Sequence, residues 1–128
     1  MNKFSRPERD KIIQTHVINK DNQWYGIRGG NDTQDHIFLL SLEEVVGYFG
    51  DSGQLQNRTT SAYWIADQFS GGRIAYNMLG NNRWWWLRSP GNGGGHAANV
   101  VSDGSVDLIG CPVINHFGGV RPALWLKM

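Results

Sequence analysis

Residues 83–109, RWWWLRSPGNGGGHAANVVSDGSVDLI, decide the fold class. "RWWWLRS" (83–89) has the aromatic weight of a strand, and a period of two puts Trp84 and Trp86 on one face with Trp85 and Leu87 on the other. "HAANVVS" and "SVDLI" flank Asp103-Gly104, a turn signal that predicts a β-hairpin. Further on, "GVRPALWL" (119–126) reads as a closing strand in which Val120, Leu124 and Leu126 alternate with Arg121 and Trp125. Pro122 assigns it an edge position or a bulge.

Upstream the signals change to helix. Ser5 followed by Pro7 and Glu8 predicts a helix running through "ERDKIIQ" to about Thr15. "DNQWYGIRGGNDTQD" (21–35) is turn-rich, and "HIFLL" (36–40) suits a buried strand. Ser41 and Glu44 form an S-x-x-E capping box that opens a helix to about Phe49. From 50 to 82 the pattern is weak, and "SAYWIADQF" fits a strand or a helical turn equally. Helices first and antiparallel strands afterwards predict an α+β fold, with two short helices and a small antiparallel sheet joined by extensive loops.

Composition limits the function classes. At 128 residues the chain is one domain, residues 1–128, long enough to bury roughly two-thirds of its unfolded surface. Its formal charge is +1 and its pI about 7.9, so there is no basic field to drive binding to nucleic acid or an anionic membrane. Seventeen glycines, six tryptophans and 18% charged residues describe a loop-rich domain stiffened by aromatics. A lone cysteine, Cys111, excludes an internal disulfide and a Cys-based zinc site. No apolar h-region follows the N-terminus and no segment approaches about 20 apolar residues, so a soluble chain without membrane insertion is expected. Nothing in it assigns a compartment.

Three blocks in order, "WWWLRSPGN", "AANVVSDGSV" and "GGVRPALWL", resemble the C-terminal signature of a bacterial and phage domain family of unknown function. That family is assigned to the C-type-lectin-like fold of the formylglycine-generating-enzyme type. "DHIFLLSLEEVVGYF" and "FSRPERDKI" are similar to its central and preceding segments, so the resemblance covers nearly the whole chain. Such domains usually carry a strand and a helix before "FSRPERDKI"; the resemblance thus implies a fold truncated at its N-terminus or completed by another segment.

A subset of these domains resembles the variable proteins of diversity-generating retroelements, in which an error-prone reverse transcriptase mutates the adenines of AAY codons. A codon left as NNY never encodes Lys, Glu, Gln, Met or Trp. Nineteen of residues 1–88 belong to those five types, a rate that would put about six or seven in residues 89–119. There are none. The resemblance therefore implies a ligand-binding variable region at about 92–117. Ala97, Ala98, Val100, Gly104, Val106, Gly110, Val113, Gly118 and Gly119 read as its frame. His96, Val101, Ser102, Asp107, Ile109, Cys111, Pro112, Asn115, His116 and Phe117 read as interchangeable contact positions. The expected partner is a protein or glycan on a cell surface, reached from a phage virion or a bacterial surface through another protein. Phe117, Ile109 and His116 are the expected anchors.

Catalytic and metal readings are weaker. His96 and His116 with Asp103 or Asp107 match no metal-ligand spacing. Cys111 with His116 suggests a nucleophile and base, but both are in the contact set, and formylglycine-generating oxidases need two active cysteines. The E-P-N, Q-P-D and W-N-D calcium motifs of sugar-binding lectins are absent, "RGGNDTQD" reads as a solvated turn, and "GNGGGH" lacks a phosphate-loop context. No enzyme activity and no cofactor is expected. The alternatives are an enzyme of the formylglycine-generating type and a structural phage or cell-surface module. Trp84, Trp85, Trp86 and Trp125 are expected in the core, and Arg88 and Arg121 are expected to tie strands to loops through carbonyls or a carboxylate.

Overall fold

A computed structural model describes residues 5–57, 64–115 and 117–127. In chain order its elements are α1 (Arg6–Lys11), β1 (Thr15–Val17), β2 (Thr33–Asp35), α2 (Leu42–Phe49), β3 (Trp64–Ile65), a 3-10 turn (Ser70–Arg73), β4 (Ala75–Tyr76), β5 (Asn82–Arg83), β6 (Trp85–Pro90), β7 (His96–Val100) and β8 (Val106–Pro112). The fold is α+β, with two helices and three antiparallel sheets among the described residues. A four-stranded sheet of order β3-β8-β7-β6 is the largest; β1-β2 and β4-β5 are two-stranded. Among the described residues no helix is long and apolar enough to cross a membrane.

Both capping boxes form. The Ser5 hydroxyl accepts from Glu8 N–H, and the Glu8 carboxylate accepts from Ser5 N–H; Ser41 and Glu44 do the same for α2. α1 stops at Lys11 rather than near Thr15, because Ile12 turns extended, becomes buried and bridges Leu126. In α2, Leu42, Val45 and Val46 share one buried face, as i, i+3 and i+4 positions must. That face joins Trp85, Leu87, Ala98, Val100, Val106, Leu108 and Ile65 in the core. The period-two reading of the tryptophans matches: Trp85 and Leu87 are 1% exposed, and Trp84 and Trp86 lie half-buried on the other face. The β7–β8 hairpin turns at Asp103-Gly104, where Gly104 has φ 88° and a side chain would run into the Ser70 carbonyl.

Two expected strands are not strands. Residues 36–40 make a single bridge, Phe38 to Ala123, and residues 119–126 form a strap with short bridges to three different segments. Gly119 pairs with β6, donating to the Trp84 carbonyl and accepting from Trp86 N–H; Ala123 pairs with Phe38, and Leu126 with Ile12. Pro122 has no N–H to continue a ladder, so the strap changes partner instead. β1 and β2, three residues each and largely polar, are unannounced by the sequence pattern.

Arg88 ties the layers as expected. Its guanidinium donates to the carbonyls of Leu39 (2.8 Å) and Ile18 (2.9 Å) and ion-pairs with Glu44. Arg88→Met should lower stability by about 2–4 kcal/mol, because two carbonyls and a carboxylate lose their donor together. Arg88→Lys should recover less than half of that, since an ammonium cannot reproduce the fork. Urea midpoints measured at unchanged m-value check both; equal midpoints for the lysine variant and the wild type would contradict the fork argument.

Candidate functional site

On the outer face of the main sheet, strand register aligns Trp86, Asn99, Asp107 and Trp64 in one row. Trp64 is 48% exposed, whereas Asn99 and Asp107 are buried. Asn99 Nδ2 donates to Asp107 Oδ2 at 3.3 Å and lies 3.6 Å from Cys111 Sγ. Asp107 Oδ1 accepts from the N–H groups of Ile109 and Gly110, both at 3.1 Å. Asp107 thus belongs to the frame and not to an exposed contact surface: its carboxylate caps a bulge.

The bulge is legible in the register. Asn99 faces Asp107 and Ala97 faces Cys111, so four steps on β8 match two on β7. Gly110 makes this possible, with φ 83° and the Ala97 carbonyl oxygen where a Cβ would stand. The kink returns Cys111 to the outer face beside Asn99. Asn22, itself buried, secures the same end of the sheet by donating to the carbonyls of Pro90 and Leu108.

Beyond β8 the chain forms a loop that begins with Val113 N–H donating to the Gly95 carbonyl. Asn115 N–H donates to the Pro112 carbonyl, and Asn115 Oδ1 accepts from Phe117 N–H. These bonds hold the backbone and leave Val113, Ile114 and Phe117 outside, with Ile114 79% and Phe117 77% exposed. Gly118 lies on the edge-to-face pair Trp84–Trp86, whose centroids are 4.9 Å apart. From 96 to 117 the only Asp, Glu, Lys or Arg residues are Asp103 and Asp107, so the loop that follows β8 carries no Asp, Glu, Lys or Arg.

The ten expected contact positions divide by place. His96, Ile109, Cys111, Pro112, Asn115 and Phe117 gather at the end of the sheet near the loop, where His96 faces Pro112 across the strands. Val101 and Ser102 sit in the turn at the opposite end of the hairpin, about 17 Å away along β7. His116 lies outside the described residues. Among the frame residues Ala98, Val100 and Val106 are fully buried, but Val113 is exposed and joins the surface. Ile114, Asn99 and Trp64 were missed. Period two puts Asn99 on the outer face, and that was the available signal for it.

Burial pushes the Cys111 thiol pKa up, and the Asp107 charge pushes it further, against a smaller opposing effect of the Asn99 hydrogen bond. A nucleophilic thiolate needs the reverse environment. Among the described residues no three His, Cys, Asp or Glu side chains are placed to hold a metal ion.

A family model described as "Domain of unknown function (DUF6273)" matches residues 1–128, and the chain belongs to that family. No curated protein and no solved structure matches it.

Proposed function

We propose that the chain is the variable protein of a diversity-generating retroelement: a C-type-lectin-like domain that binds a protein or glycan on a cell surface without turning it over. The observation that carries this reading is the absence of Lys, Glu, Gln, Met and Trp from residues 89–119, the stretch that includes the exposed loop. An anchored backbone that leaves Val113, Ile114 and Phe117 in solvent supports it, because side chains there can change without disturbing the core. A few apolar anchors ringed by polar groups would supply the binding energy.

The gene's own DNA tests it. Asp, Cys, Asn, His and Phe end in C or T in every codon, so the discriminating positions are Val101, Ser102, Ile109 and Pro112. Their codons are expected to end in C or T, and a near-copy of the region carrying AAC or AAT should lie beside a reverse-transcriptase gene. Purine-ended codons at two or more of the four would sink the proposal.

The protein gives a second test. Replacing Val113, Ile114 and Phe117 together by Ser, Asn and Ser should move the unfolding free energy by no more than about 0.5 kcal/mol per site. Leu108→Ala, in the core, should cost about 2–5 kcal/mol. A triple variant as unstable as the Leu108 variant would mean that the loop side chains hold the fold.

A further inference from the structure

Between the β4–β5 hairpin and the strap lies a cavity of about 460 Å³, lined among others by Tyr76, Asn77, Arg83, Trp84, Val120 and Arg121. Its size is that of a small-ligand site. No Asp or Glu lines it. Among the described residues neither Arg83 nor Arg121 has a carboxylate within ion-pair distance, whereas Arg73 and Arg88 pair with Asp67 and Glu44. Both arginines at the cavity are thus without a carboxylate partner among the described residues.

Arg121 is also held still. Its guanidinium carbon is 4.9 Å from the Phe49 ring centroid and 5.0 Å from that of Trp85, and its Nη1 is buried without a hydrogen-bond partner. Stacking fixes the fork in advance, which lowers the entropic cost of engaging an anion. Asn77 contributes in the same sense: its Oδ1 already accepts from the N–H groups of Leu79 and Asn81, both at 3.0 Å, so the NH₂ is the part left to bind. The polar side chains described here offer donors, and the rings of Tyr76 and Trp84 offer a surface for a sugar or other ring.

We propose that this cavity binds a ring-bearing oxyanion of about monosaccharide size, its carboxylate or phosphate held by Arg83 and Arg121 and its ring against Trp84 and Tyr76. The proposal is independent of the diversified surface. An acidic glycan and a phosphorylated sugar share this chemistry, and the choice of probe separates them.

The experiment is titration of the whole chain at low salt with glucuronate, glucose 6-phosphate and glucose, followed by isothermal calorimetry and by the indole N–H resonance of Trp84. At least one anionic sugar should saturate and bind about tenfold or more tighter than glucose. Glucuronate as the tighter probe assigns an acidic glycan; glucose 6-phosphate assigns a phosphorylated sugar. Arg83→Gln, a change at an exposed side chain, should weaken that binding about tenfold while leaving the unfolding midpoint unchanged. Arg121→Lys keeps the charge and loses the fork, and should weaken it several-fold. Arg121→Gln would strip the charge from the Phe49–Trp85 stack and perturb the fold as well as the cavity, so Arg83→Gln is the deciding variant. No saturation by either anion, equal affinity for glucose, or unchanged affinity in the Arg83 variant would each overturn the proposal.

Discussion

Asp67→Ala is expected to destabilise the protein by about 3–5 kcal/mol, enough to unfold much of it at 37 °C. Arg73 is wholly buried and makes two hydrogen bonds to the Asp67 carboxylate, at 3.0 and 3.1 Å, and one to the Gly50 carbonyl at 2.8 Å. Removing the carboxylate strands the cation in the core and frees the Ser52 hydroxyl and the Phe69 N–H that it also accepts from. Replacing both partners, Asp67→Leu with Arg73→Met, should cost less than the single change, because no charge is then left buried. A double variant as unstable as the single one would contradict this account.

The same pair sets a pH dependence. Burial alone would raise the Asp67 pKa, but the Arg73 hydrogen bonds, the Ser52 and Phe69 bonds and the Arg73 charge outweigh it, and the pKa lies below its ordinary value. Glu44 is lowered in the same way, with burial opposed chiefly by the Arg88 hydrogen bond. A lowered native pKa means that the unfolded state binds the proton more readily. This stabilisation is therefore present above the ordinary carboxylate pKa and is lost as pH falls through the native values. Urea midpoints should hold steady at neutral pH and drop steeply below about pH 4. The Asp67-Arg73 double variant should lose part of that slope.

Asn22→Ala should cost about 3 kcal/mol. The Asn22 side chain is 1% exposed and makes four hydrogen bonds: to the Pro90 and Leu108 carbonyls through Nδ2, and from the Trp24 and Tyr25 N–H groups through Oδ1. An alanine would leave two sheet carbonyls unpaired and release the turn that carries Trp24. Fast hydrogen exchange at the Trp24 amide, with the core strands still protected, is the expected signature. Stability within about 0.5 kcal/mol of wild type would refute the assignment.

These two sites mark how far the sequence could be read. Capping boxes, the Asp-Gly hairpin and the alternating tryptophans follow from neighbours within four residues, and each is found. The Arg73–Asp67 pair and the Asn22 contacts depend on which segments meet, and no local period encodes that. The contact surface divides in the same way. Phe117 and Pro112 are exposed as expected, but Asp107 alternates onto the outer face and is still buried, because the bulge turns two backbone N–H groups toward its carboxylate. Val113 looked like frame because it is β-branched, yet the loop leaves it in solvent.

The strap has a consequence for synthesis. Its pairings join Ile12 to Leu126 and Phe38 to Ala123, and Gly119 closes the free edge of β6. Each contact closes a very long loop, so its entropy is lost early and repaid late. A nascent chain emerging from the ribosome would hold Ile12 and Phe38 without their strap partners until residues 123–126 had left the exit tunnel. A stop codon near Pro122 would therefore remove Ala123 and Leu126 and leave Phe38 and Ile12, made some 85 and 114 residues earlier, with no strap to close on.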